Sequence, residues 1–531
     1  RLEERMEYAK KVLDKNFKFE PKTELVVDPD QRKFAKTTKE LDAEQGKFLQ
    51  FQVSNYLATD MALDEAKQTV VRSYERMVRR VHEMKDEDLF SNFIDSFARS
   101  LDPHSSFFSR ESFQDFEIQM GLSLEGIGAT LSSNDGFTVV EQLIPGGAAA
   151  RSGLLKPKDK IIGVGQEGKP IENVIEMDLR DVVQRIRGAK GTKVKLTVLR
   201  KEKDKQTRQT VSLVRDKIDL KDEEATINYI DTKQFYTIPQ ASNKDAKDEK
   251  DPKEVAKETA KETAKEVAQA ANPERKNRKI AILKLPSFYA DAKTNGRSSA
   301  KDMKKLIKEA RDKKVEGMIL DLADNAGGSL DDAVKIAGLF FKTGNVVKQS
   351  SKESSDEKAL KDTDSTVDFP GPLVVLTSRL SASASEIVAG TLKDYNRAVV
   401  VGGDHTFGKG SVQSVLPLPQ HLGAIKVTVG MFFIPGGKST QHEGVEADIA
   451  LPGVLSKDDV GEKSLDYSLP PKRIKSFRSD DAYVKDGLEA WQQVSPEEVK
   501  TLKVASEKRV AADKDFQKIL QEIKDEDRKS V

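Results

Sequence analysis

The sequence predicts a multidomain α/β protein, and three observations carry that expectation. Residues 278–455 alternate short apolar runs with amphipathic stretches. Residues 121–200 change to short strand-like runs separated by glycine turns. The two ends, up to about residue 115 and from about 456, have the spacing of helices. At 531 residues and about 150 residues per domain, the chain has room for three or four cores.

In the first region Phe90, Phe93, Ile94, Phe97 and Leu101 recur at three- and four-residue spacing, which places them on one helix face. Asp102-Pro103 must follow the end of that helix, because proline restricts the residue before it. His104, in the turn after it, is expected at the surface. In the second region Phe137–Val140 and Val194–Val198 are strands, with Asn134-Asp135-Gly136 and Pro145-Gly146-Gly147 as turns. A helix from Asp178 to Arg187 carries Leu179, Val182, Val183 and Ile186 inward.

Residues 240–277 hold the repeats starting at Lys253, Lys257, Lys261 and Lys265. Ala, Lys and Glu favour helix, but the segment has almost no apolar face to bury, so a solvated helical insert is expected. Ile280–Leu283, Val315–Leu322, Leu373–Leu376 and Ala398–Val401 suit buried strands, with helices at Lys301–Arg311, Leu330–Phe341 and Glu386–Tyr395 between them. Such alternation packs helices on a largely parallel sheet. In the tail, Ser495-Pro496-Glu497-Glu498 has the form of a capped helix start.

Composition narrows the function. Lys and Arg number 89 against 88 Asp and Glu, so nucleic acid is not an expected partner. With no cysteine, disulfides, thiolate metal sites and a cysteine nucleophile are excluded. No run approaches the roughly 18 apolar residues needed to span a bilayer. The chain opens at Arg1 with neither an initiator Met nor an apolar signal core, and is read as processed or trimmed.

Three motifs of the α/β region carry chemistry. Asp321–Gly328 follows a strand and contains the Gly327-Gly328 pair, which lets backbone amides turn toward a ligand. Ser381-Ala382-Ser383-Ala384-Ser385-Glu386 also follows a strand. Ser383 and Glu386 have capping-box spacing, which puts Ser383 at a helix N-terminus where backbone amides favour negative charge. The bland alternative is a serine that only caps a helix. Phe407-Gly408-Lys409-Gly410 sets one lysine between glycines; Gly410 breaks the ending a phosphate loop requires, so no nucleotide site is expected. A nucleophilic serine needs a base. His405 and His442 lie close enough in sequence to be considered, and a lysine kept neutral by burial can do the same work.

Taken together, the Ser-Ala-Ser-Ala-Ser-Glu run, Thr406-Phe407-Gly408-Lys409-Gly410-Ser411-Val412-Gln413 and the upstream Gly126-Ile127-Gly128 resemble the carboxyl-terminal processing proteases, in their tail-specific branch. The likeness runs from Leu101-Asp102-Pro103-His104-Ser105 to Asp448. It implies an α/β protease core of the tail-specific type with an inserted PDZ domain and helical N- and C-terminal regions. The implied divisions are 1–115 helical, 116–205 PDZ, 206–455 protease core with the 240–277 insert, and 456–531 helical.

The resemblance also implies roles. Ser383 is the nucleophile, Lys409 the base, Gln413 its support, and Asp394 a further catalytic residue. Backbone amides of Ala384, Gly327 and Gly328 form the oxyanion hole. The amides of Gly126, Ile127 and Gly128 bind the substrate's terminal carboxylate, with Val183 and Ile186 lining an apolar pocket. No cofactor or metal is implied. The implied setting is the periplasm, with or without peripheral membrane attachment; substrates are proteins with unstructured apolar C-termini, and relatives use a helical-repeat lipoprotein adaptor. Where the family has Asp-Leu-Arg this chain has Asp321-Leu322-Ala323, and the approach through Gly402–His405 is one residue longer. The competing classes are a non-catalytic ligand-binding protein of the same fold and a PDZ scaffold.

Overall fold

The structure, a computed structural model, describes residues 1–20, 23–26, 31–202, 205–219, 223–232, 278–291, 296–350, 358–419, 422–456 and 460–529; the Lys-Glu repeat of the insert and His421 lie outside the described residues. The chain forms two compact units, Arg1–Ser96 and Phe97–Val531.

In the first unit, helices Leu2–Val12, Thr38–Leu57 and Leu63–His82 enclose Ala9, Leu13, Leu49, Val53, Ala66 and Val70. Thr37 caps the second of them by accepting the Glu40 amide, which satisfies a donor that the first helical turn leaves unpaired. The helix expected around Phe90–Leu101 forms as Asp86–Arg99. Its apolar face is not a core face: Phe93 is 74% and Phe97 64% exposed.

The second unit opens with a small antiparallel sheet in the order Ala129–Asn134, Phe137–Leu143, Lys160–Gln166, Lys193–Glu202, Lys205–Val214. The expected Asn134-Asp135-Gly136 turn joins the first two strands, with Asp135 at φ 49° and Gly136 at φ 74°, the positive angles of a tight hairpin turn. Val140, Ile161, Val164, Leu196 and Val198 form the core with Val182 and Ile186 of helix Leu179–Ile186. The last strand, Lys205–Val214, carries this sheet beyond residue 205.

The core sheet orders Thr226–Asp231, Lys279–Lys284, Gly317–Asp321, Leu373–Thr377, Val399–Gly402 and Ile449–Ala450. All pairings after the first are parallel. Helices Ser299–Asp312, Leu330–Gly338 and Ala384–Asp394 bury Met303, Ile307, Ile336 and Leu392 with Leu283, Leu320 and Val375 of the strands. These are the strands and helices expected from the apolar periodicity. An antiparallel sheet built around Ala424–Phe433 adds Ser411–Pro417, Gly344–Ser350, Lys358–Asp362 and Ser106–Phe108. The tail helix Pro496–Ala512 begins as its sequence predicts: Ser495 N–H donates to Glu498 and the Glu498 amide donates back to Ser495 Oγ.

The parallel order places the site. Strands Gly317–Asp321, Leu373–Thr377 and Val399–Gly402 are neighbours running the same way. The three chemistry-bearing segments each leave a C-terminal strand end, so they meet at one edge of the sheet, where α/β folds hold their ligands.

Candidate active site

Ser383 precedes helix Ala384–Asp394 with φ 55° and ψ −110°. A residue with a β-carbon rarely adopts such angles, and holding them costs about 1–3 kcal/mol, so the surroundings must enforce them. They do so through the glycine turn. Ala382 N–H and Ser385 Oγ–H both donate to the Asn325 carbonyl, and the buried Asn325 side chain donates to Leu285 and accepts the Gly327 amide. At Gly327, φ is 108° and a β-carbon would stand 2.9 Å from both Ser383 Cβ and the Ala382 carbonyl. Gly327→Ala should therefore destabilise the fold by about 2–3 kcal/mol and remove most activity, as read by denaturant midpoint and peptide turnover. A fully active Gly327→Ala would show that this approach is unimportant.

The lysine loop, Thr406–Gly410, has a partner for every backbone amide. Thr406 N–H donates to Val445 and Phe407 N–H to Ser381. Gly408 and Lys409 N–H donate to Glu386, and Gly410 N–H to Gln441 Oε1. Gly408, at φ 95°, passes so close to His442 that a β-carbon would stand 3.0 Å from its carbonyl carbon. The lysine position thus depends on a close backbone approach that only glycine permits without strain.

Glu386 joins the two motifs. It is fully buried. Its Oε2 accepts the Ser383 N–H at 2.7 Å and the Lys409 N–H at 2.8 Å, while Oε1 accepts Thr406 Oγ1–H at 2.5 Å and Gly408 N–H at 2.8 Å. The Glu386 arm of the expected capping box is therefore present and also reaches the lysine loop. Burial pushes the Glu386 carboxyl up to about 8 against the pull of its four donors. Lys409 moves the other way. Burial, then the Lys426 charge, brings its amine down to about 8, although Glu462, Glu386 and Asp102 draw it upward.

The expected site residues do not all converge. Asp394 ends the eleven-residue helix whose cap is Ser383, roughly 16 Å away along the axis, and its carboxylate caps the Gly436 amide at 2.6 Å. Asp394 thus stands at the opposite end of that helix from Ser383. Gln413, on strand Ser411–Pro417, donates to Ser411 Oγ and Thr428 Oγ1. The Gly327 amide is committed to Asn325 Oδ1, whereas those of Gly328 and Ala384 have no protein acceptor among the described residues. His405 pairs with the Thr406 carbonyl and His442 with Ser468 Oγ.

His104 departs from its expected surface position. It is half-buried and pairs with Glu462 at 2.7 Å, across 358 residues of chain. Glu386, Asn325, His104 and Glu462 are the residues that sequence reasoning missed. The capping-box spacing pointed to Glu386, but nothing local could show its second set of donors.

Just before the small sheet, Gly126 ends strand Ser123–Gly126, which pairs with Asp216–Asp219, the Ile127 carbonyl accepts the Ala149 amide, and Gly128 has φ 73°. Val183 keeps exposed surface, but Ile186 is 3% exposed and belongs to the core of the module. Among the described residues no cluster of three or more His, Asp or Glu is placed to hold a metal ion, and no helix is long and apolar enough to cross a membrane.

Comparison with known proteins agrees with this architecture. Residues 1–111 match the tail specific protease N-terminal domain, 115–199 the PDZ domain and 279–451 peptidase family S41. The tail-specific protease of Haemophilus influenzae is 32% identical over 480 residues, covering 89% of this chain and 61% of that protein. The chain thus spans about three fifths of that relative's length. The carboxy-terminal-processing protease of Bartonella bacilliformis is 28% identical over 366 residues, 69% of this chain and 70% of that one. Among solved structures, the PDZ domain of a Vibrio cholerae carboxy-terminal protease in complex with peptide is 52% identical, with a TM-score of 0.18, and covers 19% of this chain and 100% of that one. With helical N-terminal domain, PDZ domain and S41 core following one another in this order, the chain matches, domain by domain, the carboxyl-terminal processing proteases of the tail-specific branch.

Proposed function

We propose that this chain is a serine endopeptidase that grips apolar C-terminal tails through its PDZ domain and cleaves peptide bonds with a Ser383–Lys409 dyad. The observation that carries this reading is the shared Glu386 Oε2, from which the Ser383 and Lys409 amides both hang. The site brings together a strained, exposed-side serine, a lysine amine shifted toward neutrality, and free backbone donors at a helix N-terminus.

In the first step Ser383 Oγ bonds to the carbonyl carbon and its proton passes to the Lys409 amine. The negative charge on the former carbonyl oxygen faces the free amides of Gly328 and Ala384, where preorganised donors are worth most. The Lys409 ammonium then returns its proton to the departing amine, leaving an acyl-serine. Water, deprotonated by the same amine, attacks the ester and frees Ser383. Gln413, anchored to Ser411 Oγ and Thr428 Oγ1, supports Lys409 from the strand that follows it. The family likeness carries the rest of the reading: a periplasmic enzyme acting on proteins with unstructured apolar C-termini, delivered by a helical-repeat lipoprotein adaptor.

A labelled peptide with an apolar C-terminus tests it. Ser383→Ala should abolish cleavage. Amidating the peptide's C-terminus should weaken cleavage several-fold, because the Gly126–Gly128 amides would lose a carboxylate partner while β-strand addition remains. Equal rates on free and amidated tails would remove the PDZ part of the reading, and an active Ser383→Ala would remove the dyad.

A further inference from the structure

Among the described residues, the charges that act most on the Lys409 amine are those of Lys426 on strand Ala424–Phe433, Glu386 on the serine helix, Asp102 in the turn after the first helical region, and Glu462 at the short turn Glu462–Ser464. A carboxylate free to pair with a lysine holds its proton in place, and a base must be without it. Two of the three carboxylates are saturated. Glu386 has its four donors. Asp102 accepts from Ser105 Oγ, Thr428 Oγ1 and the His104 and Ser105 amides.

Glu462 is different. It is 1% exposed, and its side chain is held by two groups, Gln441 Nε2 at 2.9 Å and His104 Nε2 at 2.7 Å. Gln441 in turn accepts the Gly410 amide, and the Glu462 backbone N–H donates to the Phe407 carbonyl. The pair therefore sits on the lysine loop at both ends.

We propose that His104 is a positioning residue for Lys409: by engaging Glu462 it keeps that carboxylate from pairing with the lysine amine. The proposal rests on the Ser–Lys reading above. Nε2–H donates to the carboxylate, so His104 needs no contact with substrate to act.

The pH dependence of kcat/KM, measured on the full chain with a labelled apolar-tailed peptide, tests this. His104→Leu, which removes the donor, should move the rise of activity to higher pH, with a loss of about threefold or more at neutral pH that is recovered at alkaline pH. Glu462→Gln, nearly isosteric, should move the rise to lower pH, and the double variant should follow Glu462→Gln. A role in structure alone would lower kcat/KM equally at every pH, and that result, or superimposable profiles, overturns the proposal. If His104→Leu fails to fold, the Glu462→Gln profile decides alone. Lys409→Ala separates the two readings. If it retains turnover, the Ser–Lys reading falls and this proposal with it; if it is inactive while the other profiles stay unmoved, this proposal alone falls.

Discussion

Lys409→Arg should lose at least about a thousandfold in kcat/KM although the positive charge is kept. The range expected for a general base in the transition state is about a hundred- to ten-thousandfold. A guanidinium stays protonated throughout the accessible pH range and cannot accept the serine proton. An ordinary lysine near 10.4 would be neutral in only about one molecule in 2,500 at pH 7. Burial brings Lys409 down to about 8, which makes about a tenth of the molecules competent at that pH. The sign follows: activity requires the unprotonated amine, so it should fall as pH drops through about 8 and level off above it. A Lys409→Arg variant with substantial turnover, or a wild-type profile flat from neutral to alkaline pH, would contradict the assignment. Loss of activity in folded His405→Ala or His442→Ala would point to a Ser–His site instead.

Glu386→Ala should be the most destabilising single change at the site. It leaves three backbone amides and one hydroxyl without their acceptor in a fully buried position. Buried donors left unpaired cost about 1–3 kcal/mol each, with some recovered by relaxation, so a loss of about 3–5 kcal/mol is expected. Activity should vanish with it, because the same carboxylate sets the serine turn against the lysine loop. Glu386→Gln should be milder. With its carbonyl toward Ser383 and Lys409, the amide nitrogen meets Thr406, whose hydroxyl can turn to accept, and only the Gly408 amide is left facing a donor. Denaturant midpoints and turnover of both variants check this order. Wild-type stability and activity in Glu386→Ala would show that the two motifs are held together by something else.

The branch and the strand–helix alternation were legible because they rest on local patterns. The runs at 279–284, 317–321, 373–377 and 399–402 are short and apolar on both faces, as buried parallel strands must be. The capping motifs at Ser383 and Ser495 span four residues each, and the catalytic motifs are contiguous runs that carry family identity with them.

What depends on long-range pairing was not legible. Phe93 and Phe97 announce an apolar helix face, but periodicity is silent on how much of it the fold buries, and here both rings keep most of their surface exposed. Asp394 was singled out by the resemblance alone, and only the helix Ala384–Asp394 shows that it stands at the opposite end from Ser383. His104 and Glu462 are separated by 358 residues, so no local signal connects them.

The sequence by itself determined the order of domains and the identity of the nucleophile and base as candidates, because contiguous motifs and short-range periodicity are properties of neighbouring residues. Only the tertiary structure decided how the candidates are charged and held. The environment of an amine or a carboxylate is set by whatever the fold packs against it, and the charges acting on Lys409 come from four separate stretches of the chain, at Asp102, Glu386, Lys426 and Glu462.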